Sequence, residues 1–133
     1  MIYAIGIDIL DTAKIAALLQ RKPDRLVRWM FSAREQLALQ TISVLRLKDY
    51  VAGRWAAKEA VLKALGSGIG PIAFPEIEIV ANELGQPSVS FDGRASDWVR
   101  ARGISRWHLS ISHDRNYAAA VAIAECNVEP RMP

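Results

Sequence analysis

The sequence predicts an α+β domain: a small, mainly antiparallel sheet packed against one long central helix, with short helices near the N-terminus. Three observations carry that prediction. Residues 54–66, Arg-Trp-Ala-Ala-Lys-Glu-Ala-Val-Leu-Lys-Ala-Leu-Gly, are mostly strong helix formers closed by a glycine. Short runs rich in β-branched and small apolar residues recur at 2–10, 77–80, 88–91, 107–112 and 117–124. Only a few turn-forming residues separate the third run from the second and the fifth from the fourth, as hairpins require. With 133 residues, 51% of them hydrophobic and 23% charged, the chain is long enough to bury one core without staples.

The elements follow in order. Ile2, Ile5, Ile7 and Ile9 mark a buried strand that ends near Asp8. Asp11 or Thr12 caps a helix over about 13–21. Pro23 opens a short helix with Leu26, Val27 and Met30 inward and Arg25 and Arg28 outward. Ser32-Ala33-Arg34-Glu35 has the form of a capping box, which places a helix over about 33–40. The central helix begins near Ser43 or Asp49 and runs to Leu65; Gly66, Gly68, Gly70 and Pro71 then make a loop. Residues 82–87 form the turn of the first hairpin. A short helix over 95–102 stops at Gly103, and His113 sits at the tip of the last hairpin. The domain is assigned to 1–124. Residues 125–133, with two prolines and no periodicity, are expected to be a mobile tail.

Composition narrows the function classes. Cys126 is the chain's one cysteine, so no intrachain disulfide exists, which fits a reducing compartment. The apolar N-terminal run has no basic leader and is broken by Asp8, too short for a signal sequence or membrane span. A cytoplasmic protein is the expectation. The net charge of +3 is uneven: Lys14, Arg21, Lys22, Arg25, Arg28 and Arg34 face only Asp11 and Asp24 between residues 11 and 34. Such a segment is either a solvated helix face or a surface for an acidic partner.

The chemistry-bearing candidates are few. A carboxylate at Asp8, inside an apolar strand, either caps and accepts backbone hydrogen bonds or holds a hard cation. Glu59 and Lys63 are i,i+4 neighbours on the central helix, read either as a surface ion pair or as a carboxylate and an ammonium facing a cleft. Magnesium is usually held by one or two carboxylates plus phosphates and water, so Asp8 and Glu59 would make such a sparse site if they meet. Lys58 lies nearer Arg54, where the two would grip a second anion. The glycine loop lacks the order of a Walker-type phosphate loop and follows a helix rather than opening one. His113 suits proton transfer or anion binding, or is an exposed turn residue without a role. No zinc-type Cys/His spacing and no Gly-x-Ser-x-Gly elbow occur.

Gly6-Ile7-Asp8-Ile9, the 54–66 segment with Gly68 and Gly70, Gly85-x-Pro87, and Ser110-Ile111-Ser112-His113 occur in that order. Together they resemble the holo-acyl-carrier-protein synthase branch of the 4′-phosphopantetheinyl transferases, over residues 2 to about 123. The resemblance implies transfer of 4′-phosphopantetheine from coenzyme A to a serine of apo acyl carrier protein, in support of fatty acid biosynthesis. Adenosine 3′,5′-bisphosphate is released. It further implies that Asp8 and Glu59 bind magnesium, that Lys63 steadies the diphosphate, and that all three are catalytic. Arg54, Lys58, Gly66, Gly68, Gly85, Pro87 and His113, with Lys63, would line the coenzyme A pocket. Lys14, Arg21, Arg25 and Arg28 would dock the acidic carrier. The resemblance also implies a homotrimer with active sites between subunits. Glu59, a metal-held water and His113 remain open as acceptors of the serine proton. Departures are modest: Trp55 stands where the family usually has phenylalanine, Pro71 follows the loop, and the tail is longer.

Two rival readings were weighed. A nucleic-acid-binding module would use the basic segment but needs no buried Asp8. A carrier-binding protein without catalysis should lack Asp8 or Glu59, and both are present. No nucleic-acid or membrane partner is expected.

Overall fold

Strand β1 (Ile2–Asp11) alternates between a face turned to the protein and a face turned to solvent, and this alternation organises the chain. The structure, a computed structural model, describes residues 1–68 and 70–127. Asp11 ends β1 and caps α1 (Thr12–Arg21) by accepting a 2.8 Å hydrogen bond from the Ala13 N–H. Helix α2 (Pro23–Met30) carries its proline in the first turn and buries Leu26 and Met30. Helix α3 (Ala33–Leu39) has the expected capping box: the Glu35 N–H donates to Ser32 Oγ and the Ser32 N–H to Glu35 Oε1. Helix α4 (Val44–Leu65) starts at Ser43. It stops at Gly66, whose φ of 68° lets its N–H close on the carbonyls of Leu62 and Lys63. A 3₁₀ turn (Phe74–Glu76), β2 (Ile77–Ala81), β3 (Pro87–Phe91), α5 (Gly93–Ala101), β4 (Ile104–His113) and β5 (Tyr117–Cys126) complete the order.

The class is α+β as predicted, but the strands form two sheets rather than one. β1, β5 and β4 make an antiparallel three-stranded sheet in that spatial order, and β2 and β3 make a separate hairpin. The hairpin joins the larger sheet through side chains, with Phe91 packed on Trp107 at 5.2 Å between ring centroids. Three boundaries also shift. α5 begins at Gly93 because Asp92, not a later residue, accepts its first-turn hydrogen bond. β4 begins at Ile104, directly after Gly103. β5 continues through Cys126, whose N–H donates to Met1 O while the Met1 ammonium donates to Cys126 O. Residues 125 and 126 are therefore strand, not tail. The rest of the expected tail falls on 128–133, outside the described residues.

Helix α4 lies across β1 and β5 on a seam of small side chains. Ala56, Ala57 and Ala60 on the helix and Ala118, Ala122 and Ala124 on β5 are fully buried. Gly6 sets the closest approach: a Cβ there would stand 1.8 Å from the Ala60 carbonyl oxygen. The other face of the sheet is uncovered among the described residues. Ile5, Ile7 and Ile9 are 60%, 65% and 66% exposed, so β1, expected to be buried, is buried on one side only.

A polar pin crosses the apolar core. The Lys58 ammonium donates to Met30 O at 2.7 Å, Glu35 Oε1 at 2.7 Å and Phe74 O at 3.0 Å. Glu35 Oε2 accepts from the Ile79 N–H at 3.1 Å, so the pair ties α2, α3, α4, the 3₁₀ turn and β2. Burial lowers the Lys58 pKa below the ordinary lysine value, against the pull of Glu35, which raises it.

Replacing Gly6 by alanine is expected to cost about 2 kcal/mol or more, because the obstacle is helix backbone that can only retreat by separating α4 from the sheet. Gly53→Ala is the control: its Cβ would meet only the Ile111 Cγ2 methyl, at 3.0 Å. Urea denaturation of both variants checks this, and an equal loss in the two would show that the seam is not specially tight at Gly6.

Candidate active site

Asp8 and Gly6 share the helix-facing side of β1, two residues apart as a strand requires. Across from them, Lys63 lies one turn beyond Glu59 on α4. The Lys63 ammonium donates to Ile7 O at 2.9 Å and to Asp8 Oδ1 at 3.1 Å. It is thus bound to the strand. Glu59 is close enough to Asp8 to feel its charge: burial raises the Glu59 pKa, Asp8 raises it further, and Lys63 opposes both. Two carboxylates share one built-in cation, and the imbalance favours a second positive charge between them. Oxygen donors of this kind suit a hard divalent ion. Among the described residues, no group of three or more His, Cys, Asp or Glu residues could hold a metal, so the protein's own share of such a site is these two carboxylates.

Glu59 and Lys63 open onto a cavity of roughly 810 Å³. Gly66, Gly68 and Gly70 form one wall, and Trp29, Ile72 and Phe74 the apolar opposite wall. Trp29, Trp55 and Phe74 pack as a trio with centroids 4.9–5.6 Å apart, and Trp29 remains 53% exposed. Arg28 stands at the rim. Lys14, Arg21, Arg25 and Arg28 are all exposed along α1 and α2.

A second cavity, roughly 730 Å³, lies on another side of α4. It gathers Arg54, Gly85, Pro87 and His113. Arg34 and Arg46 add two further guanidinium groups, beside the carboxylates of Glu35 and Asp49. The Arg54 guanidinium lies 4.4 Å from the Tyr50 ring centroid, and its buried Nε has no hydrogen-bond partner. The Gly85 turn is held by the Asn82 side chain, which accepts from the N–H groups of Leu84 and Gln86.

The structure therefore brings Asp8, Glu59 and Lys63 together and puts Gly66 and Gly68 beside them. It gathers Arg54, Gly85, Pro87 and His113 elsewhere. Lys58 belongs to neither set and is a correction: its side chain is fully buried and its three N–H donors are all engaged, so it does not line a ligand pocket. His108, given no chemistry by its place in a strand, pairs with Glu125 at 2.7 Å. Sequence reasoning missed Arg46 and Tyr50. Their signal was the run Arg46, Tyr50, Arg54 at successive i,i+4 positions on one helix stripe. It also missed the aromatic wall of Trp29 and Phe74, 45 residues apart and joined only by folding.

Comparison with known proteins places the chain among named relatives. A holo-[acyl-carrier-protein] synthase of Oceanobacillus iheyensis is 38% identical over 125 residues, 94% of this chain and 98% of the relative. The crystal structure of the holo-[acyl-carrier-protein] synthase from Neisseria meningitidis superposes with a TM-score of 0.86 at 34% identity, over 94% of this chain and 99% of that one. A Bacillus anthracis holo-(acyl-carrier-protein) synthase in complex with CoA (3′,5′-ADP) matches with a TM-score of 0.79 at 33% identity, over 96% and 99% of the two chains. The family model that matches, over residues 4–122, is described as the 4′-phosphopantetheinyl transferase superfamily. With a matched segment that begins at β1 and ends within β5, enclosing Asp8, Glu59, Lys63 and both cavities, this chain belongs to the 4′-phosphopantetheinyl transferase superfamily.

Proposed function

We propose that this chain is an enzyme that transfers 4′-phosphopantetheine from coenzyme A to a serine of apo acyl carrier protein. Adenosine 3′,5′-bisphosphate is released, and the holo-carrier serves fatty acid biosynthesis. The observation that carries the reading is the meeting of Asp8 with Glu59 and Lys63 beside an open cavity in a chain of this family. Magnesium is part of the proposal, held by Asp8 and Glu59. Bound there it would neutralise the charge of the coenzyme A diphosphate and of the departing phosphate. Lys63 has two of its three N–H donors on β1, which leaves one for a phosphate oxygen. Glu59, which borders the cavity where Asp8 does not, is the group assigned to take the serine proton. The nucleotide end of coenzyme A goes to the hollow of Arg54, Arg46 and His113, where the adenosine-side phosphates meet fixed positive charge.

That hollow and the Glu59 cavity are separate within one chain. The proposed assembly is a homotrimer whose active sites form between subunits, so that one subunit's hollow faces another's Asp8 and Glu59. The exposed Ile5, Ile7 and Ile9, beside Val121 and Ile123 in the strand register, give the apolar surface such an assembly needs. The carrier docks on Lys14, Arg21, Arg25 and Arg28, whose exposure along α1 and α2 suits an acidic partner. No helix is long and apolar enough to cross a membrane, and we place the reaction in the cytoplasm.

Mass spectrometry of apo carrier incubated with enzyme, coenzyme A and magnesium should show the phosphopantetheine adduct. Asp8→Asn and Glu59→Gln should each lower turnover by on the order of a hundredfold or more while the protein stays folded. Unchanged turnover in either variant would remove it from the reaction. Arg25→Glu with Arg28→Glu should raise KM for the carrier, steeply so at low salt, with little change in KM for coenzyme A. A parallel rise in both constants would put these arginines elsewhere. Mixing the inactive Glu59→Gln and Arg54→Ala proteins should restore up to about one quarter of wild-type activity, the statistical yield of intact sites when subunits exchange freely in a ring. No recovery after proven exchange would place each active site within one chain.

A further inference from the structure

We infer that Lys58 is a positioning residue for carrier docking: its buried ammonium holds the basic helix α2 and the aromatic wall of the cavity in register with Glu59. The inference rests on the transferase reading above and deepens it. The ammonium has three donors, and each ends on a different element. One reaches Met30 O, the last residue of α2; one reaches Phe74 O, at the start of the 3₁₀ turn; one reaches Glu35, in the first turn of α3. One anchored residue, Phe74, is part of the cavity's apolar wall, and a second, Met30, adjoins Trp29 of that wall. Met30 follows Trp29 in sequence, and Trp29 stacks 4.9 Å from Phe74.

The geometry that results is specific to docking. α2 carries Arg25, Arg28 and Trp29 toward solvent, and its C-terminal residue is tied to α4 by the Lys58–Met30 hydrogen bond. Glu59 is the next residue after Lys58, turned about 100° round the same helix. Lys58 therefore supplies the hydrogen-bonded part of the link between the basic ridge and the reacting carboxylate, beside the ring packing of Trp29 on Trp55. A bound carrier presses on α2 and must bring its serine to Glu59, so an error in that distance falls on the carrier. The lining of the Arg54 hollow, which receives the nucleotide, includes Glu35 but neither Lys58 nor α2, so the Glu35→Gln variant reads out the link of Lys58 to that hollow.

The test is Lys58→Met, close in length and unable to donate, assayed for KM of both substrates beside Glu35→Gln. The glutamine variant removes the charge while leaving the ammonium on Met30 O and Phe74 O. Folded Lys58→Met should show KM for the carrier raised on the order of tenfold and KM for coenzyme A within about twofold, with Glu35→Gln near wild type for the carrier. An equal change in both constants, or none, overturns the inference. Should Lys58→Met fail to fold, the ¹⁵N resonance of the Lys58 ammonium in the intact protein decides. Apo carrier should shift it more than coenzyme A does; the reverse order, or no response to the carrier, overturns it. Wild-type protein run alongside separates the two levels. A wild type that modifies no carrier removes the transferase reading, whereas wild-type turnover with an unsplit Lys58→Met removes only the positioning role.

Discussion

The contact on which the rest of this structure depends is the approach of β1 to α4 at Gly6 and Ala60. No side chain fits between the two backbones there. The seam of alanines around Gly6 lets helix and strand approach this closely. Period two on the strand then places Asp8 on the same side as Gly6. Period 3.6 on the helix places Lys63 beside Ala60 and Ala64. The Lys63 ammonium can reach both Ile7 O and Asp8 Oδ1 only because the strand and helix lie this close. The glycine does no chemistry, yet it sets the separation at which the chemistry happens.

Adjacent residues on α4 meet opposite fates for a geometric reason. Lys58 points into the core and Glu59 toward a cavity, about 100° apart round the helix. Lys58 is paired with Glu35, and Lys63, one turn beyond Glu59, is paired with Asp8, but the energetics differ. The Lys58–Glu35 pair is dry, and taking both charges from water offsets most of their attraction, so its worth lies in orienting backbone rather than in net stability. Two backbone carbonyls and two backbone N–H groups complete its hydrogen bonds, which makes the arrangement unique rather than merely favourable. The Lys63–Asp8 pair is half open to water, and its Coulomb energy is correspondingly small. That weakness is useful, because a pair that is easily loosened can accept a phosphate or a second cation.

Much of this was legible in the chain. The capping box at Ser32–Glu35, the stop at Gly66 and the hairpin ending at His113 are local, and local signals survive folding intact. The grouping of Asp8 with Glu59 and Lys63 was reachable through the family resemblance but not through spacing, since fifty residues separate them. Lys58 was misplaced because a lysine on a helix gives no sign of whether it snorkels outward or is held inside. Only the coincidence of a carboxylate and two backbone carbonyls, from residues 16 to 28 positions away, makes burial tolerable. The two-sheet division was illegible for a similar reason: β3 meets β4 through Phe91 and Trp107, and ring packing leaves no periodic trace.

The split of the candidate residues between two cavities is itself an argument about assembly. The hollow's lining carries Arg34, Arg46 and Arg54 against Glu35 and Asp49, and Glu78 pairs with Arg34 at 3.2 Å, so the positive charge that favours an anion rests on Arg46 and Arg54. Negative charge at Asp8 and Glu59 is likewise short of a cation. Each deficit is the complement of the other, and a nucleotide with a diphosphate and its metal satisfies both at once if the two surfaces face one another. Within one chain α4 stands between them. A large apolar face left uncovered among the described residues, that of Ile5, Ile7 and Ile9, belongs to the same strand that carries Asp8. In the proposed assembly, covering that face with another copy would bring a neighbouring subunit's surface to the edge of the Asp8 site, so the strand that carries Asp8 would also set the partner's position.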